Sequence, residues 1–488
     1  MAIPSDSSGW TTAGLAETHK RTALQQAAVQ PESVLTRRNL LVSAALFALA
    51  LFAIAAFDYH YHISLLYPSH SPHFIYQAQA LLRGHWNIAL PLSATDVILL
   101  HGQHYIISPP FPAIAAALGV SFLYLMFEQA RANGLTARHW LIHALMTLLL
   151  FFGSIYWWLS LGGSVWFTAQ ILCVVSTLIG LFLGLRRKYF AASLLLMCAF
   201  FSRPTAIFGF VFLLALAWDA AGHDPRLARF LTAPIRAARE RSLRAIELSE
   251  IPWRRLAPVL ATIALLFVLY GVHNALIFGS PFETGYDILM RQRYPQIHYG
   301  QFSLRYVPAN IIANFFNFPV VRFSGPWDLR PTIDMINGDM SVSVFLTTPL
   351  FLLLFWRNRT RSVLRGALWL TIILVVIEVL FFNASGWAQF GARYLFDGYP
   401  YAFLLLALNE ASFNWRSVAL GPLGVGFHML GPLPSGRITS SACDTQARCS
   451  SIRCLDEGER EELRGPDHSR TPSGQNRTSA GRLRGGDL

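Results

Sequence analysis

Residues 39–57 read NLLVSAALFALALFAIAAF, nineteen positions without a charge. A helix rises about 1.5 Å per residue, so this run nearly crosses a hydrocarbon core of about 30 Å. Further apolar runs lie at 110–127, 140–158, 165–185, 258–278, 344–356 and 364–382, with weaker ones at 394–408 and 418–430. A segment in lipid must satisfy its backbone internally, and for an isolated run that means a helix. Composition agrees, with 53% hydrophobic and 14% charged residues against about a quarter charged in soluble domains. This balance excludes an ordinary cytosolic enzyme and predicts an all-α polytopic membrane protein.

Residues 189–218 form an apolar stretch interrupted by Ser202, Arg203 and Pro204. Short cytoplasmic loops collect Lys and Arg, and this rule chooses between one helix and two. If the first span leaves the cytoplasm, Arg186, Arg187 and Lys188 lie inside. Two short helices turning at Arg203 then keep Arg226, Arg229, Arg236, Arg239, Arg241, Arg244, Arg254 and Arg255 inside as well. A single helix would strand all eight outside. The expected architecture is therefore about 11 spans, within nine to twelve, over a transmembrane domain 39–431, with a cytoplasmic leader 1–38. That leader is long for a signal peptide, whose apolar region would also be shorter, so the first span is expected to be retained.

Two large segments fall on the outer face, 58–108 and 279–343. Residues 74–84 read as a short amphipathic helix on the interface, and the basic inner segment 219–256 carries a second, over 227–251. The net charge of +12 is then mainly an orientation signal, and no nucleic acid is needed to explain it. After Gly431 the chain contains no Phe, Trp or Tyr, and its nine basic and eight acidic residues nearly cancel. Such a segment cannot bury enough apolar surface to fold, so 432–488 is expected to be a disordered tail. A shifted reading frame would produce the same abrupt loss of aromatics. Of five Cys, Cys173 and Cys198 lie in apolar runs and the others in the tail. No disulfide framework shows, and Cys443, Cys449, Cys454 and His468 match no common zinc finger.

Charges in or beside spans are functional candidates. Arg203 reaches the outer interface, where its planar fork suits phosphate oxygens; snorkelling to headgroups is the bland alternative. Arg393 and Asp397 are four apart and would share a helical face, either as a neutralising pair or with Asp397 orienting Arg393 toward a phosphate. Glu378 is a further charge within its span. The first outer segment contains His60, His62, His70, His73, His85, His101 and His104, and His70, His73, His101 and His104 are weak candidates for a divalent metal. Its carboxylates are Asp58 and Asp96. A transferase acting on a hydroxyl needs one such base within reach of the proton. Asp96, in the less generic context SATDVILLHGQHYIISPPFPA, is the first choice, and Asp58 has capping of the first span as its alternative.

Several motifs in order carry a resemblance. They are Leu82-Arg83-Gly84-His85-Trp86, then Tyr105-x4-Pro110-x-Pro112, Gly163-Ser164-Val165-Trp166, Ser202-Arg203-Pro204, Phe278-Gly279-Ser280-Pro281-Phe282-Glu283-x-Gly285-Tyr286, and Phe390-Gly391-x-Arg393-Tyr394-Leu395. Together they resemble the GT-C class of multi-spanning, lipid-linked glycosyltransferases, which includes the protein O-mannosyltransferases and aminoarabinose transferases. The resemblance covers about residues 40–408. It implies an integral inner-membrane, multi-pass enzyme that moves a sugar from a polyprenyl-phosphate donor to an extracytoplasmic hydroxyl acceptor with inversion. It also implies a base in the first outer segment and basic residues on the departing phosphate. Arg203, Arg393, Asp397, Glu283 and Tyr105 are the implied substrate-binding residues. The well-studied members carry their acid just before the amphipathic helix, where this chain reads Ser69-His70-Ser71-Pro72-His73. Asp96, Asp58, His70 or His73 would have to take that role, or the chain would not catalyse the reaction. Rival readings are a transporter or flippase for a lipid-linked or anionic substrate, which the broken helix at 202–204 suits, and a non-catalytic protein of the same fold.

Overall fold

The computed structural model describes residues 34–60, 83–85, 97–100, 103–106, 113–161, 165–219, 251–293, 299–323, 331–334, 342–356, 362–384, 390–409 and 415–430. The tail 432–488, most of the leader, and most of both amphipathic segments expected at 74–84 and 227–251 lie outside them. Helix α1 spans Arg37–His60 and is followed by strands β1, Val97–Leu100, and β2, Gln103–Ile106. Then come α2 Ala113–Ala132, α3 Trp140–Phe152, α4 Ile155–Leu161, α5 Val165–Leu185, α6 Tyr189–Ser202 and α7 Gly209–Trp218. The second half contains α8 Trp253–Phe278, α9 Gly285–Arg293, α10 Val363–Phe381, α11 Tyr399–Leu408 and α12 Trp415–Leu430. Among the described residues the fold is mostly helical. It departs from all-α in two antiparallel hairpins, β1 with β2 and Val320–Phe323 with Pro331–Asp334. Both fall in the segments expected on the outer face.

Four helices among the described residues are long and apolar enough to cross a membrane: Arg37–Phe57, Trp166–Leu185, Trp253–Phe278 and Val363–Phe381. Trp140–Phe152 and Ile155–Leu161, bent by 59° at their break, pass together as a fifth. The peripheral spans bury only 22% (α1), 22% (α8) and 33% (α10) of their apolar windows. Leu41 and Phe52 on α1, Phe267, Val268 and Leu276 on α8, and Leu370 and Ile373 on α10 are exposed. Water would penalise each exposed side chain by about 1.5–3 kcal/mol relative to burial, whereas lipid tails do not. The protein is therefore membrane-embedded. Span α5 is the central one, with 78% of its window buried.

Close contacts set the packing. Tyr124 donates to Asn39 Oδ1 at 3.3 Å and Ser121 to the Ser43 carbonyl at 2.9 Å, which runs α2 antiparallel to α1. The Tyr156 hydroxyl reaches the Ala116 carbonyl at 3.0 Å across Gly119, where a Cβ would collide with it and with Val175. The expected span at 344–356 is broken. It forms a turn of helix at Val344–Thr347 and a 3-10 helix at Pro349–Phe355, because Pro349 forces Thr348 out of the helical region (φ −141°, ψ 70°). Helix α11 has ten residues, about 15 Å, short for a span by itself. The weak run at 418–430 does form a helix, α12, despite Pro422.

The stretch 189–218 folds as two helices. Tyr189 and Leu216 meet at 3.5 Å, hydroxyl to carbonyl, and Leu196 packs against Gly209. Helices α6 and α7 are thus the arms of a hairpin. Pro204 opens its second arm as the first residue of a 3-10 turn, Pro204–Phe208, and holds Arg203 extended at φ −150°, ψ 116°. Opposite this apex the basic residues gather. Asn133 donates to the Leu185 carbonyl at 2.7 Å and Arg138 to that of Asn409 at 2.8 Å. These bonds bring the ends of α2, α5 and α11 to one level, beside Arg186, Arg187 and Lys188.

Candidate functional site

Arg203 occupies the hairpin apex with 19% of its side chain exposed, and its Nε donates to Asp397 Oδ2 at 3.0 Å. Thr205, two residues along the same turn, donates its hydroxyl to that oxygen at 2.6 Å. Asp397 is 2% exposed, and its Oδ1 has no hydrogen-bond partner among the described residues. An isolated carboxylate at this depth would be costly, so the pair and the threonine are what hold the charge there. Burial works against the Arg203 cation, but Asp397, with Tyr394 and Tyr286, outweighs it and holds the guanidinium pKa above its ordinary value. Tyr286 belongs to the start of α9, so the second outer segment comes within electrostatic reach of the apex.

Arg393 is 4% exposed. Its guanidinium carbon lies 4.9 Å from the Tyr394 ring centre and 5.6 Å from that of Phe167, while Arg203 lies 5.2 Å from the same Tyr394 ring. Gln170, a lone amide on α5, donates to the Arg393 carbonyl at 2.7 Å and fixes the segment to the central span. Gly391, at φ 101°, bends the chain into this segment against Ile155 and Thr347, in a conformation that a side chain would strain.

The expected pairing of Arg393 with Asp397 is corrected here. Residues Arg393–Gly398 form a 3-10 helix, with three residues per turn, so positions four apart point about 120° away from each other. Asp397 consequently faces the hairpin and pairs with Arg203, while Arg393 lies over Phe167 and Tyr394. Glu378, near the end of α10, is electrostatically coupled to both Arg203 and Asp397. The second outer segment is anchored just above, where the Asn310 amide donates to the carbonyls of Val379, Leu380 and Phe382 at 3.3, 3.0 and 2.7 Å. These are acceptors that a helix end leaves without intrahelical partners.

Glu283 is placed away from this pair's hydrogen bonds and forms an ion pair with Arg291 on α9, the ordinary role of a surface carboxylate. Asp58 stands in the last turn of α1, with its side chain outside the described residues. Asp96, His70, His73 and His101 also lie outside them. His104 and Tyr105 are on β2, opposite Leu99 and Ile98 of β1 in register, and β1 begins at Val97, the residue after Asp96. Among the described residues no three His, Cys, Asp or Glu side chains converge as a metal site. Sequence reasoning missed Thr205 and Gln170. The signal for Gln170 was an amide within an apolar run, and that for Thr205 its place next to the Ser202-Arg203-Pro204 break. Comparison with protein families, with curated proteins and with solved structures returns no match.

Proposed function

We propose that this chain is an inner-membrane glycosyltransferase of GT-C architecture, acting on a polyprenyl-phosphate sugar and an extracytoplasmic hydroxyl. The observation that carries the reading is the pair of guanidinium groups, Arg203 and Arg393, sharing Tyr394 at the apex of a helical hairpin, opposite the end where the basic residues collect. In this reading that basic end is cytoplasmic, as the distribution of Lys and Arg favours. The N-terminus is then inside, and the shorter apolar helices complete about 11 spans.

In the proposed reaction the acceptor oxygen attacks the anomeric carbon as the carbon–oxygen bond to phosphate breaks. The electron pair leaves with the phosphate, and the acceptor proton passes to a carboxylate, Asp96 or else Asp58. Negative charge grows on the leaving phosphate, where fixed guanidinium donors stabilise it most. Holding donor and acceptor together supplies much of the remaining acceleration.

The short arms of the hairpin favour a second reading. Helix α6 has fourteen residues, about 21 Å, and discontinuous helices of this kind build transporter sites. Incubating membranes with a labelled polyprenyl-phosphate sugar separates the two. Label appearing on an acceptor, and lost in Asp96→Asn, supports transfer. Label that crosses the bilayer still attached to its carrier supports transport.

A further inference from the structure

At the basic end a cavity of about 470 Å³ opens between α1, α2 and α3, lined by Arg38, Arg131, Thr136, Arg138, His139 and Trp140. The chain constructs it by a sharp reversal after α2. Gly134 adopts φ +71°, and Leu135 donates back to the Ala130 carbonyl at 2.9 Å, which turns residues 133–139 over the helix end. Beneath the cavity lies Glu128, fully buried, with Arg131 at 2.9 Å, Arg38 at 3.9 Å and His143 at 2.7 Å. Arg38 is also held over the Trp140 ring at 5.5 Å. Arg138 is only 8% exposed; its guanidinium is tied to the Asn409 carbonyl at 2.8 Å and its backbone N–H to the Thr136 hydroxyl at 3.4 Å.

Three guanidinium groups therefore line one cavity, Glu128 beneath it meets two of them, Arg131 and Arg38, and among the described residues its lining contains no carboxylate. Orientation alone asks for basic residues in solvated loops. It does not ask for an arginine nearly removed from water, nor for a carboxylate and an indole that fix two others. We infer that this cavity binds a phosphate group, which presents several oxygens to planar donor forks. The cavity lies at the ends of spanning helices, where headgroups of an anionic phospholipid lie, and free phosphate offers the same chemistry. It is separate from the apex cluster and does not depend on the function proposed there.

The test uses the purified full chain in phosphatidylcholine nanodiscs doped with phosphatidylglycerol, with retained lipid counted by native mass spectrometry. A parallel titration with inorganic phosphate reads the thermal midpoint. The wild type should retain phosphatidylglycerol over phosphatidylcholine. Arg38→Gln and Arg131→Gln, both at partly exposed side chains, should each weaken that preference about tenfold, the equivalent of one charge-assisted hydrogen bond. Arg291→Gln, an exposed arginine on α9, should leave it unchanged. Stabilisation by inorganic phosphate that is lost in the same two variants would identify free phosphate as a ligand. Retention of the lipid without any effect of phosphate would identify the headgroup. Absence of both in the folded wild type, or equal retention by both variants, would overturn the inference.

Discussion

Replacing Arg203 with Ala removes the cation from a carboxylate that has no solvent exposure of its own. Asp397 would keep the Thr205 hydrogen bond at 2.6 Å but lose the 3.0 Å bond to Nε and the charge behind it. Breaking a buried pair from this side costs about 3–5 kcal/mol. Asp397→Ala is the gentler change, because the Arg203 it leaves behind is 19% exposed and can turn to headgroups or water. Its cost should be about 1–3 kcal/mol, a charge-assisted hydrogen bond and little more. The double variant removes both charges, so it should cost less than the two single changes together, with a coupling of about 2 kcal/mol. Unfolding the purified protein by SDS in mixed micelles, followed by far-UV circular dichroism, measures all three. An Arg203→Ala variant no weaker than Asp397→Ala, or strictly additive single changes, would refute the view that the apex is held by this pair.

Other outcomes can be measured with the same protein. Asp96→Asn should lower sugar transfer at least about a hundredfold, the usual contribution of a general base, with the folded fraction unchanged by size-exclusion chromatography; transfer at wild-type rate would remove Asp96 from the mechanism. Gly119→Val places a side chain against the Tyr156 hydroxyl and Val175, and should destabilise by about 1–3 kcal/mol through overpacking; an unchanged SDS midpoint would contradict that packing. Asn310→Ala strips three carbonyls at the end of α10 of their amide donor. It should cost about 1–3 kcal/mol and expose the backbone around residues 299–316, which faster limited proteolysis there would register.

Much of the membrane architecture is legible in residue order. The run 39–57 needs a lipid-like surrounding wherever it packs, and α1 leaves most of its apolar window unburied. The interruption at 202–204 is equally legible, since Pro204 cannot continue a helix ladder and biases Arg203 toward extended backbone. The hairpin bends there. Pro349 carries the same local information, and the break it makes in 344–356 follows from the chemistry that breaks 189–218. By contrast, the partner of Asp397 was not legible. A four-residue spacing promises a shared face only at 3.6 residues per turn, and the segment winds at three.

Amino-acid order by itself thus determined the medium, the helical content and the gathering of basic residues, because hydropathy, proline geometry and charge act over a few neighbouring residues. Tertiary structure alone decided which charges meet. Arg203 and Asp397 stand 194 positions apart, and nothing local couples them. They pair because α5 with its Gln170 anchor, the α6–α7 hairpin and the Arg393–Gly398 turn pack around one apolar interior, in which a carboxylate can remain only where a cation and a hydroxyl reach it.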